Sequence, residues 1–169
     1  LYAAIWWDVG HLDITPECGS SSVQIRLLFT SDSSENREGI YIDDFHVASV
    51  FFYDDMESGT NGWTSTHSTQ PNWHQVSTDY YSYDTSWWCG SDGTGQYDNG
   101  MDEYLTHSFD LTYAEDAALQ FSFTGIAEQD YDFLFIGISV DDGSNWDYYG
   151  GFTGDYSDGW YIVEIDLSG

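Results

Sequence analysis

Runs of β-branched and aromatic residues, or apolar and polar residues in alternation, recur along the chain. They cover residues 23–29, 39–42, 118–123, 133–140 and 160–165. Such runs are typical of β-strands. Clusters of Gly, Ser, Asn and Asp, which favour loops and hairpin turns, lie between them at 31–38, 90–100 and 141–145. Only 113–118 could hold a helical turn, so the pattern predicts an all-β sandwich of antiparallel strands.

One strand pattern occurs near both ends of the chain. Residues 7–15 and 160–168 share, in register, a Trp, later an Asp followed by an aliphatic residue, and then a hydroxyl residue. If the two stretches are the same strand, the sequence begins and ends inside a module. The start at Leu1, without Met or a signal peptide, agrees with a processed product or a segment of something longer.

The charge balance excludes several function classes. The 169 residues include 30 acids, two arginines and no lysine, for a net charge of −28. Nucleic acids and anionic membrane surfaces are bound through clustered basic residues, so neither is an expected partner. Hydrophobic residues make up 41% and aromatic residues 19%, which is enough to build the core of about one large domain.

A compact chain with this charge repels itself unless ions neutralise or screen the carboxylates. Calcium-loaded extracellular modules and halophilic proteins both have such a composition. Of the two we favour calcium, and we expect an extracellular or cell-surface location.

Motifs of catalysis are absent from the sequence. It contains no His-Glu-x-x-His, no Gly-x-Ser-x-Gly and no phosphate loop. The best catalytic candidate is 128–132, which we interpret as alternating acids on one strand face, similar to the carboxylate run of a sandwich-fold glycosidase. An acidic chain produces such runs freely, so we predict that the protein is not an enzyme and has no catalytic residues.

Several short motifs together resemble a known family. They lie at 55–59, 62–63, 72–74, 86–90, 101–105, 141–146 and 165–168, and again at 12–15, 23–26, 29–32 and 38–47. Their order is similar to that of the MAM-like jelly-roll modules of secreted and cell-surface prokaryotic proteins, of the kind attached to immune-inhibitor-A-type metallopeptidases. Residues 51–169 resemble the N-terminal portion of such a module and residues 1–50 its C-terminal portion, so the order is permuted.

This resemblance implies a jelly-roll β-sandwich and leaves two arrangements open. The chain could be one period of a tandem array. Alternatively, residues 1–50 could complete the sandwich of a neighbouring subunit, which would build a head-to-tail filament or surface array from copies of the chain. We expect an extracellular structural protein of this second kind. The alternative is a calcium-dependent carbohydrate-binding or adhesion module of a larger surface protein.

The resemblance also implies sites. A structural calcium ion would be held by Glu57, Asp43 and Asp44, although the aspartates could simply cap a strand end. Cys18 and Cys89 could form a disulfide, between neighbouring subunits in the permuted arrangement, or remain free thiols.

The aromatic residues are a separate group of candidates. Rings that could stack on a glycan are Trp63, Trp73, Trp87 and Trp88, with Tyr80, Tyr81, Tyr148 and Tyr149. Alternatively, these rings fill the core or bury a subunit interface.

Overall fold

The structure is a computed structural model that describes residues 19–48, 52–67, 69–114 and 117–165. These residues form antiparallel strands and no helix, hence no helix that could cross a membrane. The strands are β1 (Val23–Thr30), β2 (Gly39–Ala48), β3 (Phe52–Asp54), β4 (Thr64–Ser65), β5 (Asn72–Val76), β6 (Ser86–Gly90), β7 (Asp102–Phe109), β8 (Ala118–Ile126), β9 (Phe133–Ser139), β10 (Asp147–Phe152) and β11 (Asp155–Ile165).

The strands build two sheets. One has the order β10-β9-β1-β7-β4, and the other has the order β11-β8-β2-β6-β5 with β3 paired to β2. This confirms the predicted antiparallel β-sandwich. The finer expectations, a jelly roll and its completion by a neighbouring subunit, stay predictions.

The five runs identified in the sequence are all strands, namely β1, β2, β8, β9 and β11. The helical turn considered at 113–118 is not found in the described residues of that stretch, where a turn leads into β8 at Ala118.

Both predicted portions of the chain contribute to both sheets. β1 lies between β9 and β7, and β2 lies between β8 and β6, so residues 23–48 occupy the middle of the sandwich of their own chain. Pairing of these strands with a neighbouring chain, as head-to-tail assembly requires, stays a prediction. Residues 1–18, with the repeat at 7–15, lie outside the described residues, as does the end of its counterpart at 166–168.

Aromatic rings fill much of the core between the sheets. Phe45 of β2 is fully buried and contacts Trp63 edge-on, with ring centroids 4.7 Å apart. It also stacks on Phe109 and Phe121, at 6.2 and 6.1 Å. Because each ring buries a large apolar area, the high aromatic content compensates for the few aliphatic residues.

Candidate functional site

Three loops meet at one end of the sandwich: 31–38 between β1 and β2, 91–101 between β6 and β7, and 127–132 between β8 and β9. Hydrogen bonds tie the first two together, since Asn99 Nδ2 donates to the carbonyl oxygens of Ser33 and Ser34 at 3.1 and 3.0 Å. Tyr97 N also donates to the Arg37 carbonyl at 3.1 Å. The loop ends are therefore held at fixed positions.

The first and third of these loops bring three carboxylates together. One oxygen each of Asp32, Glu128 and Asp132 lies within 4.8 Å of the others. Within the described part of the chain this is the only group of three or more His, Cys, Asp or Glu side chains that converges in this way. Asp132 is fully buried, whereas Asp32 and Glu128 are half-buried. We call these three residues the acidic triad.

Hydrogen bonds fix the geometry of the acidic triad. Asp132 Oδ1 accepts the Asp32 amide at 2.6 Å, and Asp132 Oδ2 accepts the Tyr97 hydroxyl at 2.5 Å. The same hydroxyl accepts the Glu128 amide at 3.1 Å. Burial raises the pKa of the Asp132 carboxyl above its usual range, and the nearby charges of Asp32 and Glu128 raise it further.

Carboxylates arranged in this way are hard oxygen ligands of the kind that Ca²⁺ takes in flexible geometry. The triad also corrects one expectation, because 128–132 is a loop and not a strand with its acids on one face. Asp130 has a φ of 68° and is exposed, while Glu128 and Asp132 meet Asp32. Sequence reasoning missed the triad because Asp32 is far from the other two along the chain.

The predicted calcium ligands hold a different loop, 77–85 between β5 and β6. Asp43 Oδ2 accepts the amides of Tyr81 and Ser82 at 2.7 and 3.0 Å. Glu57 Oε1 accepts the amides of Asp84 and Thr85 at 3.0 and 2.8 Å. These bonds give Asp43 and Glu57 a structural role that requires no ion.

Asp44 completes the attachment of this loop. Its Oδ1 accepts the hydroxyls of Ser82 at 2.7 Å and Tyr53 at 3.0 Å. Burial raises the pKa of the neighbouring Asp43 to about 6. The alternative of acids that cap backbone groups therefore gains support, and calcium at Glu57, Asp43 and Asp44 stays a prediction.

The four tryptophans singled out in the sequence are buried, with 1–4% of each exposed: Trp63, Trp73, Trp87 and Trp88. None offers an open ring face on which a sugar could stack, which favours the alternative that they fill the structure. The strongly exposed rings are tyrosines instead. Several of them lie on or beside loop 77–85, namely Tyr53, Tyr80, Tyr81 and Tyr83.

Cys89 of β6 is fully buried, and burial raises the pKa of its thiol well above the usual value. Cys18 lies outside the described residues, so their disulfide stays a prediction.

A groove of about 450 Å³ runs along one open side of the sandwich. There β4 is the edge strand of one sheet and β5 is the edge strand of the other. Its lining consists of Thr60, Trp63, Thr64, Ser65, His67, Asn72, Trp73, His74, Gln75 and Trp87. None of these residues is acidic, although the chain has 30 acids. We call this feature the edge groove.

Comparison of the chain with protein-family models, curated proteins and solved structures finds no significant match. Functional assignment therefore depends on the residues of this chain.

Proposed function

We propose that the chain is an extracellular, calcium-stabilised recognition module that binds a carbohydrate or takes part in adhesion. The observation that carries this proposal is the acidic triad, in which oxygens of Asp32, Glu128 and Asp132 lie within 4.8 Å of one another at a loop-rich end. Without a cation, these carboxylates repel one another across a partly buried site, where the effective dielectric is below that of water.

Calcium at the triad would join the β1–β2 loop to the β8–β9 loop. The preceding hydrogen bonds already position the carboxylates, so binding would order little of the chain and lose little conformational entropy. The very high negative charge supports the same proposal, because each bound Ca²⁺ makes the net charge of −28 less negative by two. The resemblance to secreted jelly-roll modules supports the extracellular setting.

The test is thermal unfolding in millimolar calcium and after chelation. Because a ligand that binds only the folded state stabilises it, we expect calcium at about a hundred times its Kd to raise Tm by about 5–10 °C. Magnesium at equal concentration should give a smaller shift, since it prefers strict octahedral geometry and retains its waters.

Two variants with the same charge change locate the site. Glu128→Gln keeps an oxygen that can accept the Ser34 hydroxyl and the Glu35 amide, but it removes the negative charge of one proposed calcium ligand. This variant should therefore lose most of the calcium-dependent rise in Tm. Asp147→Asn on exposed β10 should keep that shift. If both variants lost the calcium-dependent rise in Tm equally, or if magnesium raised Tm as much as calcium, general charge screening would explain the effect. Either result would contradict the proposal.

Head-to-tail assembly is a second candidate. One observation favours it: β1 and β2 take central positions in the two sheets, so residues 52–165 without them would expose the neighbouring strands β6, β7, β8 and β9. A chain whose own β1 and β2 were displaced would satisfy these strand edges by pairing with β1 and β2 of a neighbour. Against exchange, β2 pairs antiparallel with β3, which is close to it in sequence, with Val47 opposite Phe52. Native mass in solution separates the two candidates.

A further inference from the structure

We propose that the edge groove binds a neutral saccharide, with the side chains of Ser65, Asn72 and Trp87 as its hydrogen-bonding contacts. This inference rests on the proposed recognition function and deepens it, because it names the ligand class and the site. The groove is separate from the acidic triad, so the two sites can be tested independently.

Unpartnered polar atoms concentrate at the groove. Ser65 Oγ, Asn72 Oδ1 and Trp87 Nε1 have almost no solvent-accessible area and no hydrogen-bond partner among the described residues. A ligand in the groove reaches them when the lining side chains shift. All three residues line the groove, and both Asn72 and Trp87 are more than nine-tenths buried. Since a buried polar atom without a partner is desolvated and gains no hydrogen bond in return, a ligand that supplies partners would relieve that cost.

The three atoms supply complementary hydrogen-bonding roles. The Asn72 amide is oriented by its Nδ2, which donates to the His67 carbonyl at 2.8 Å, so Oδ1 remains as an acceptor. The Trp87 indole can only donate, and the Ser65 hydroxyl can do both. Sugar hydroxyls both donate and accept, as other hydroxyls do. A polyhydroxylated ligand therefore offers each of these atoms a partner of the kind it needs.

Charge selects a neutral ligand. No carboxylate lines the groove, which leaves nothing to pair with a cation. An anion would approach against the field of a chain with a net charge of −28. The acids behind the lining already contact it: Glu103 Oε1 lies 2.7 Å from His67 Nδ1, Asp92 Oδ1 lies 3.3 Å from His74 Nε2, and Asp54 Oδ2 accepts Trp63 Nε1 at 2.9 Å. Their charges add to the field that opposes an anion.

Size and apolar content agree with this ligand class. A volume of about 450 Å³ lies within the usual range for small-molecule sites, which is about 300–1,000 Å³. Trp63, Trp73 and Trp87 contribute apolar surface to the lining. Small-molecule sites commonly combine apolar walls with a few placed polar groups.

The experiment is a titration of the ¹⁵N-labelled, calcium-saturated chain with soluble neutral oligosaccharides, followed through the indole N–H signals. The probes are hexamers of glucose with α- and β-linkages, of mannose, of galactose, of xylose and of N-acetylglucosamine. We expect at least one probe to shift the Trp87 indole N–H saturably. The Trp88 indole N–H should move little, because it donates to the Glu38 carbonyl at 2.9 Å outside the groove lining.

Matched variants then test the contacts. Trp87→Phe keeps a ring but removes the free donor, so it should weaken binding about 5–10-fold, as loss of one hydrogen bond predicts. Trp88→Phe, on the adjacent residue, should bind within about twofold of the unaltered chain. Ser65→Ala should weaken binding without lowering Tm, since it removes a hydroxyl that has no partner in the free protein. Circular dichroism checks that each variant is folded.

The outcomes distinguish two failures. If a saccharide binds with equal affinity to the unaltered chain, Trp87→Phe and Ser65→Ala, the groove assignment is overturned while carbohydrate recognition stands. If no probe shifts any signal of the folded chain, both the groove and the carbohydrate function are overturned.

Discussion

At the residue scale, the carboxylates of this chain mostly accept hydrogen bonds from N–H and O–H groups instead of pairing with cations. Asp54 is an example: it is buried, its Oδ1 accepts the Met56 amide and its Oδ2 accepts Trp63 Nε1, both at 2.9 Å. Among the described residues only Glu35 pairs with an arginine, Arg37. With two arginines and no lysine in the chain, backbone amides and uncharged side chains are the donors that remain.

Arg26 shows the converse, a cation that packs against aromatic rings instead of pairing with a carboxylate. Its guanidinium carbon lies 4.1 Å from the ring centroid of Tyr104 and 3.7 Å from that of Trp146. It forms cation–π contacts with these rings, and no described carboxylate forms a salt bridge with it.

Buried acids predict how stability depends on pH. Burial raises the pKa of Asp43 from 3.8 to about 6, and it also raises the pKa of Glu103. The folded state therefore holds the Asp43 proton more tightly than the unfolded state. The protonated Asp43 carboxyl therefore adds about 2–3 kcal/mol to the free energy of unfolding below about pH 4. This contribution is lost as the pH rises through about 6.

Chemical denaturation between about pH 4 and pH 7, in chelator and about 1 M NaCl to screen surface repulsion, measures this slope. Asp43→Asn should flatten it, at a cost in overall stability because an amide accepts fewer of the bonds from Tyr81 and Ser82. Asp147→Asn should leave the slope unchanged. An unchanged slope in Asp43→Asn would contradict the assignment.

At the element scale, the long pairing of β2 with β8 organises the second sheet. Gly39 and Gly125 meet in this pairing, both with positive φ, 95° and 134°. A Cβ on Gly125 would collide with the backbone of Gly39 and Ile40. Further along β2, the register shifts between Asp43 and His46, and Asp44 adopts a φ of 49°. That irregularity places the adjacent Asp43 and Asp44 side chains where both can bond loop 77–85.

Gly125→Ala should therefore destabilise the protein by more than about 2 kcal/mol, because it adds both a backbone clash and an unfavourable φ. The same substitution at Gly159 of β11, where a Cβ would meet nothing within 4 Å, should change stability by less than about 0.5 kcal/mol. Urea unfolding of both variants measures the difference. Equal effects at the two positions would contradict the described β2–β8 packing.

Strand prediction from the sequence succeeded where apolar runs are long and failed where strands are short or polar. β1 begins with apolar and polar residues in alternation, and β9 is a nearly continuous run of aliphatic and aromatic residues. The sequence pattern predicts both strands. β4 has two residues and β7 has the polar sequence DEYLTHSF, so neither gives a clear periodicity. The acidic triad could not be predicted, because it depends on which loops the topology brings together. The tryptophan burial likewise depends on packing.

At the scale of the whole molecule, the centre of each sheet is formed by one of the first two described strands. β1 and β2 are central strands, and the acidic triad joins the loop between them to the loop between β8 and β9. The proposed calcium ion would therefore bridge the loop that joins the two central strands to the β8–β9 loop of the same chain. The surface remains strongly negative, with a net charge of −28, which opposes close approach of identical copies unless cations intervene.

Native mass by light scattering, in millimolar calcium and again after chelation, tests this account most directly. A module completed within its own chain should remain monomeric near 19.2 kDa in both conditions, with only its Tm lowered by chelation. Large polymers in calcium that shorten on chelation would contradict it, and would show instead that β1 and β2 complete a neighbouring subunit.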